Sequence, residues 1–563
     1  MSSIQETETP LDFSPSLRNT NLDRLAHEEF DILVVGGGIT GAGIARDAAL
    51  RGFKTGLIEK NDFAGGTSSK SSRLVHGGLR YLEQFEFALV FEASQERRVL
   101  RKIAPHMVTA LPFIMPVYED SVRPYWQIRI GMWLYDFLAL FRNVKLHRAL
   151  DKRQLLEMEP MVSPDGLVGG PRFYDCQVDD ARLTLATVQS AHRAGAVVVN
   201  HARVTGLLKT KGRVCGVQMR DEITGKEAEV KARIVAGAMG PWGDALLKMD
   251  DPAAPNNLRP TKGVHLMVRR DRIGNCNALS YIVKRDARLM FLIPWGKFSI
   301  IGTTDTDYRG RPEDLTVDAW DVDYTLDAFN QAFPTVKLTE NDIISAYVGL
   351  RPLVAENAAT ESKVSREHRI FLPPSGLIAI AGGKLTTYRV MAKQVVDIAA
   401  KRLAADFGVA AKNGCITQKL PLEGGAGGGL HARVATQIEA ATRLLDMNGE
   451  EAQCLLTNYG TGYTRVLDLV QRDPALGQRI CPTLPYVWAE LPHAVYHEMA
   501  LSLCDFMIRR THIICEDPSQ GLDQAPAVAE RMGALLGWSD EEKERQLAAY
   551  RHEVELTRVW RGA

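Results

Sequence analysis

Gly36, Gly38 and Gly41, with Glu59 eighteen residues after Gly41, have a spacing that can hold a dinucleotide. Gly36 permits a tight turn out of an apolar run, Gly38 lets backbone N–H groups approach a pyrophosphate, and Gly41 lets the following helix lie close to a sheet. Glu59 ends the next apolar run, where a carboxylate accepts both ribose hydroxyls and repels a 2′-phosphate, which disfavours NADP. A second group, Thr67-Ser68-Ser69 followed by His76-Gly77, offers small hydroxyls and glycine where a backbone can run along a bound cofactor. These residues alone do not separate FAD from NAD.

Such a site needs two parallel strands joined by a helix, and the apolar patterning predicts them over 31–35 and 54–58. Helices are predicted over 85–102 and 179–194, then a strand over 196–199, a hairpin turning near 209–212, and a strand over 230–236. That strand ends in Gly237-Ala238-Met239-Gly240-Pro241-Trp242, and glycines at a strand's carboxyl end mark where open α/β sheets take ligands, so Gly240 joins the candidates. A hairpin over 289–302, the polar run Thr303-Thr304-Asp305, a strand over 377–381, the turn Gly382-Gly383-Lys384 and a helix over 386–407 follow. Thr386 and Thr387 begin this helix, whose amino end should face the cofactor. The glycine tract 423–429 reads as a linker, and 430–563, rich in helix formers, as a separate helical domain.

The 563 residues exceed what one core organises, so two or three domains are expected. Basic and acidic residues number 68 each, which removes any electrostatic reason to expect nucleic acid as a partner. The cysteines, at 176, 215, 276, 415, 454, 481, 504 and 515, form no CxxC pair. Iron–sulfur, structural zinc and secreted disulfide frameworks are therefore disfavoured, no metal is expected, and a reducing cytoplasm fits. Residues 1–29 lack a signal-peptide pattern and carry Glu6, Glu8, Pro10 and Pro15, which predicts a flexible extension. No run of eighteen apolar residues occurs, so membrane contact is expected to be peripheral. Within 126–141, Trp126, Ile130, Trp133, Leu134, Phe137, Leu138 and Phe141 fall at helical spacing among Arg123, Arg129, Arg142, Lys145 and Arg148. The plainer reading packs that stripe into a core; the sharper one lays it on anionic lipid.

Six ordered blocks, VVGGGITGAGIARDAALRG, SSRLVHGGLRYLEQFEF, GPWGD, IIGTTDTDY, VGLRPL and GGKLTTYRVMA, resemble the FAD-dependent glycerol-3-phosphate dehydrogenases of the aerobic, bacterial type. The resemblance implies FAD and an α/β, glutathione-reductase-type Rossmann fold over 30–420. It adds an antiparallel β substrate cap, near 106–172 and 261–345, and a C-terminal α-helical domain. It further implies oxidation of sn-glycerol 3-phosphate to dihydroxyacetone phosphate by hydride transfer from C2 to flavin N5. Electrons would pass to quinone, with the enzyme held peripherally at the inner face of the cell membrane; a homodimer stays open. One departure is Gly237-Ala238-Met239-Gly240, where relatives more often carry an Asn-Ala-Thr/Ala-Gly run. The related glycerophosphate oxidases, which reduce oxygen, carry an internal insertion for which the short cap here offers no obvious room. Absence of CxxC argues against the cluster-bearing anaerobic form, and absence of a D-x-[DN]-x-[DN]-G loop against the mitochondrial one. A flavin-binding sensor without turnover is the alternative from a different class.

A phosphorylated secondary alcohol needs guanidinium forks or backbone N–H groups at its phosphate and fixed cations near its C2 oxygen. On the blocks above, Arg351 and Lys384 are expected beside the flavin and C2 oxygen, and His265 is the candidate proton acceptor. Arg80 and Arg366 are expected at the phosphate, with Tyr81 and Thr304 as polar neighbours. His76, among glycines, reads as cofactor-lining rather than as the base.

Overall fold

Two sheets organise the computed structural model, which describes residues 11–78, 85–355, 368–425, 438–439 and 441–562. In the first, strands Ile378–Gly382, Glu227–Gly237, Glu29–Val35, Thr55–Ile58 and Val197–Val199 lie side by side and parallel. Strand His368–Phe371 pairs antiparallel at one edge, and the hairpin Ala202–Thr210 with Arg213–Asp221 joins the long strand Glu227–Gly237. The registers Val35↔Ile58 and Val35↔Gly237 bring three strand ends to one level, where the glycine turns begin. Helix Ile39–Leu50 packs between helices Asp180–Arg193 and Tyr388–Phe407 over this sheet. Strands buried on both sides read as continuous apolar runs, as ILVV and VVV do.

The second sheet is mostly antiparallel and forms the cap. Strand Leu258–Arg269 pairs along its length with Ile343–Val354, and its second half with Phe298–Gly302. Alternation sorts the faces: Val264, Leu266, Val348 and Leu350 enter a buried cluster, while Gly263, His265, Tyr347, Gly349 and Arg351 take the other parity. Strands of this sheet also lie outside the expected cap ranges, at Leu74–Val75 and at the ends of Leu167–Gln177 and Ile343–Val354.

The amino-terminal expectation is corrected over 11–29, and residues 1–10 lie outside the described residues. Pro15–His27 is a helix in which Pro15 sits in the first turn and Ser14 caps the amino end by accepting from Leu17 N–H at 3.2 Å. Proline has no N–H to lose there, so a residue read as a breaker is a starter. Leu25 and Phe13 are fully buried, and Arg18 forms a buried ion pair with Asp221. The helical tail is likewise less separate than expected. Phe506, Val528 and Met532 share one buried cluster with the cap residues Phe113, Ile300 and Tyr347. Ion pairs of Asp62 with Arg509 and Arg510 and of Arg182 with Glu498 tie the tail to the first sheet's helices and loops. Of the glycine tract, Gly424 and Gly425 are packed against Tyr459 and Ile103, and 426–429 lie outside the described residues.

Helix Tyr125–Leu138 overturns the plainer of its two readings. Trp126, Ile130, Trp133 and Phe137 are 61, 60, 57 and 59 % exposed, while Met132, Tyr135 and Asp136 face inward. Helix Phe87–Ile103, packed beside it, exposes Phe87 and Phe91. No helix among the described residues is long and apolar enough to cross a membrane.

Candidate functional site

The dinucleotide cradle is built from backbone. Gly36 has φ +110°, and a Cβ there would stand 2.6 Å from the Ala238 carbonyl oxygen; a Cβ on Gly41 would stand 1.9 Å from the Gly36 oxygen. Neither position admits a side chain, so the turn, the helix and the strand end at Ala238 are locked at backbone distance. Gly38 precedes helix Ile39–Leu50 with no side chain of its own to cap it, and no acid occupies the first turn, which leaves a positive helix end for phosphate oxygens beside the one N–H that Ser68 takes. Gly240, at φ +51°, has open space where a Cβ would point. The side-chain-free turn, the helix start and the carboxylate of Glu59 together fit a dinucleotide.

Glu59 accepts from Gly37 N–H at 2.6 Å and Asn61 N–H at 2.8 Å. Burial raises its pKa, against the two N–H groups that favour the charged form. The hydroxyl loop differs in detail from expectation. Thr67 donates to Leu350 O at 2.6 Å and Ser69 to Ala64 O at 2.8 Å, so these side chains brace the loop. Ser68 Oγ accepts from Ile39 N–H at 3.0 Å, at the head of the helix. His76 N–H donates to Thr386 Oγ1 at 3.3 Å, which joins the loop to the turn Leu385–Thr387 that starts helix Tyr388–Phe407. Thr387 is buried in the same turn. Gly77 N–H donates to Asp175 Oδ1 at 3.0 Å, a carboxylate that also receives Tyr135 O–H and Arg97. Gly77 is therefore held by the inward face of the exposed helix. Gly382 and Gly383, at φ +79° and +86°, turn the chain so that Lys384 enters the helix start half-buried.

The cap supplies the facing wall. Arg351 donates through Nη1 to Asp305 Oδ1 at 3.1 Å and Thr304 O at 3.3 Å, and through Nη2 to Thr303 Oγ1 at 3.0 Å. Its guanidinium lies over Gly263, where a Cβ would meet Nη2 at 2.6 Å. Leu350, next in the chain, is the residue whose carbonyl Thr67 binds, so the arginine and the cofactor loop are one peptide apart.

His265 is stacked on Tyr347 with ring centroids 4.7 Å apart, and its Nε2 is 2.8 Å from Ser72 Oγ. Nδ1 is buried with no hydrogen-bond partner among the described residues. Burial, then Arg351 and Arg73, push its pKa down to about 3, so the ring is neutral. Thr304 is a correction. It is fully buried, with its hydroxyl accepting from Val264 N–H at 2.9 Å and donating to Asp321 at 3.3 Å, so it braces the cap instead of facing a substrate. The neighbouring Thr303, half-buried, presents the hydroxyl that meets Arg351. Arg80, Tyr81 and Arg366 lie outside the described residues.

Sequence reasoning missed Ser72, Arg73 and Tyr347. Arg73 is fully buried, with its guanidinium 4.2 Å from the Trp295 ring and Nη2 3.3 Å from His512 Nδ1. Tyr347 was legible as the residue four before Arg351 on one strand, hence on the same face. The one metal-like cluster found among the described residues, Asp62, His201 and Asp505, is held by its own cations, Arg509 and Arg510.

Comparison with known proteins agrees with this geometry. Residues 31–398 match the family described as FAD dependent oxidoreductase, and 415–543 the C-terminal domain of alpha-glycerophosphate oxidase. Glycerol-3-phosphate dehydrogenase 2 of Mycobacterium tuberculosis is 40 % identical over 96 % of this chain and 91 % of its own. Aerobic glycerol-3-phosphate dehydrogenase of Bacillus subtilis is 36 % identical over 95 % and 96 %. The crystal structure of the Bacillus halodurans glycerol-3-phosphate dehydrogenase complexed with FAD superposes with a TM-score of 0.81 at 32 % identity, covering 97 % of this chain and 98 % of that one. The chain belongs to the FAD-dependent glycerol-3-phosphate dehydrogenases, with FAD as its cofactor.

Proposed function

We propose that the protein oxidises sn-glycerol 3-phosphate to dihydroxyacetone phosphate and delivers the electrons to a quinone at a membrane surface. The observation that carries this reading is the placement of Arg351, braced by Asp305 and Thr303, one peptide from the carbonyl bound by the cofactor loop. When bound, FAD supplies the two-electron acceptor for the C2 hydrogen. The chain's part is orientation and charge: Arg351 and Lys384 favour negative charge on the C2 oxygen, and Arg80 and Arg366 hold the phosphate. His265 enters this reading as a neutral ring behind Ser72. With Nδ1 buried, a proton exchanges with the ring on the Nε2 side, where Ser72 stands, and the lowered pKa means the ring would pass that proton on rather than hold it.

Anaerobic addition of glycerol 3-phosphate is expected to bleach the flavin absorbance; an oxidised spectrum that persists over a wide substrate range would establish the sensor reading instead. A low peroxide yield that falls further with a quinone analogue is expected of the dehydrogenase. Stoichiometric peroxide would make the protein an oxidase. Arg366→Ala is expected to raise KM for glycerol 3-phosphate far more than for glycerol. Equal effects would take Arg366 out of the phosphate site.

The membrane part of the reading is supported by helix Tyr125–Leu138. Its exposed Trp126, Ile130, Trp133 and Phe137 are flanked by exposed Arg123, Arg129, Arg142, Lys145 and Arg148. Asp136, the one acid between 121 and 150, is buried. An apolar stripe rimmed by cations suits an anionic lipid interface. Replacing Trp126 and Trp133 by Ser is expected to release the folded enzyme from phosphatidylglycerol vesicles; unchanged retention would dismiss this helix.

A further inference from the structure

We propose that Trp242, Lys60 and Glu313 form a clasp across the dinucleotide groove, and that the rate at which FAD leaves is set by how often this clasp opens. Each member belongs to a different wall. Lys60 follows Glu59 at the end of strand Thr55–Ile58, and Trp242 ends the short turn Gly240–Trp242 that follows strand Glu227–Gly237. Glu313 lies in the cap, in the turn Pro312–Asp314.

Their contacts close a ring. Trp242 Nε1–H donates to Glu313 Oε1 at 2.7 Å, Lys60 Nζ donates to the same oxygen at 3.1 Å, and that ammonium stands 3.6 Å from the centre of the Trp242 ring. The indole also rests on Gly66, where a Cβ would lie 3.0 Å from Trp242 Cζ3. Gly66 opens the loop of Thr67, Ser68 and Ser69. Trp242 springs from the other side, because the Ala238–Met239 backbone abuts Gly36. The indole therefore spans from the turn beside Gly36 to the loop carrying Ser68, and both are walls of the cradle.

A cation over an indole, both sharing one carboxylate, is a compact polar lock, strongest where water is partly excluded. The side chain of Lys60 is only 15 % exposed, whereas that of Glu313 is 46 % exposed, so the cap residue is the outer and weaker member. An extended dinucleotide leaves such a groove only after the bridging ring swings aside. Opening then governs dissociation, where most differences in affinity between related binding sites reside.

The test follows free-FAD fluorescence after dilution of purified holoenzyme, with thermal melting and circular dichroism recorded in parallel. Trp242→Ala is expected to release FAD about tenfold faster or more, a factor of ten corresponding to about 1.4 kcal/mol. Glu313→Ala is expected to accelerate release about threefold, in line with an outer ion pair. Trp242→Phe, which keeps a ring on Gly66 and under Lys60 but loses the N–H donor, should fall between them. Asp271→Ala, which removes an exposed cap ion pair with Arg269, serves as the control and should leave release unchanged. High salt should speed release from the wild type and have little further effect on Glu313→Ala. Should Trp242→Ala fail to fold, Trp242→Phe and Glu313→Ala carry the decision. Release within twofold of wild type in every folded clasp variant overturns the proposal.

Discussion

The cradle at Gly36–Gly41 and the cap wall at Arg351 face each other, yet they are made of different material. The cradle works through side chains that are absent: a methyl group on Gly41 would overlap a carbonyl at 1.9 Å. The cap wall works through side chains that are present, with Arg351 held by Asp305 and Thr303 and His265 clamped by Tyr347 and Ser72. A backbone site is intolerant of added volume, and a side-chain site of lost chemistry. The two halves should therefore fail in different ways.

The largest effect is expected from Gly41→Val. No rotamer avoids a backbone clash, so the protein should purify colourless or fail to accumulate, read as the visible absorbance per protein. Retention of FAD by this variant would break the contrast. Next comes Arg351→Ala, which should keep the flavin spectrum while kcat/KM falls by about 10²–10³-fold, the usual cost of removing one donor aimed at developing charge. Loss of the spectrum as well would mean that the two walls act as one.

Adjacent threonines sharpen the comparison inside the cap. Thr304→Val removes buried hydrogen bonds to Val264 and Asp321 and should cost about 1–2 kcal/mol of stability, seen in urea unfolding, with KM unchanged. Thr303→Val should spare stability and lower kcat modestly through the freed edge of Arg351. The reverse pattern would exchange their roles.

The smallest effect separates both walls from the seam with the helical tail. Burial opposes charging of His201, but Asp505 overrides it and raises the pKa above 6.5. Glu490, buried and thereby raised to about 7, titrates in the same direction. A group whose folded pKa is raised contributes stability below its unfolded value and loses it as pH rises through the folded one. The His201 contribution should therefore be lost as pH rises above 6.5, and His201→Gln should change the slope of melting temperature against pH there. An unchanged slope in the variant would remove His201 from this linkage.

How much was legible follows the same division. Strand Glu29–Val35, helix Ile39–Leu50 and Glu59 could be read because turn geometry and strand ends are local, encoded within about thirty residues. Helix Pro15–His27 was hidden because its stabilising partner, Asp221, is far away in the chain, and the proline was taken as a breaker. Periodicity located the stripe on helix Tyr125–Leu138, but a stripe has the same spacing whether a core or a solvent interface lies against it. Thr303 and Thr304 are chemically identical, and only the packed structure decides which hydroxyl meets Arg351 and which is buried against Val264 and Asp321.

By itself the sequence determined the nucleotide-binding half: residue type and spacing suffice where backbone atoms make the contacts, because glycine's effect does not depend on a distant partner. Only the tertiary structure decided the cap wall, the neutral state of His265, the clasp of Trp242 and the exposed face of the apolar helix. Each of these depends on which remote strand or loop arrives opposite a side chain, and burial and charge are properties of that neighbour as much as of the residue.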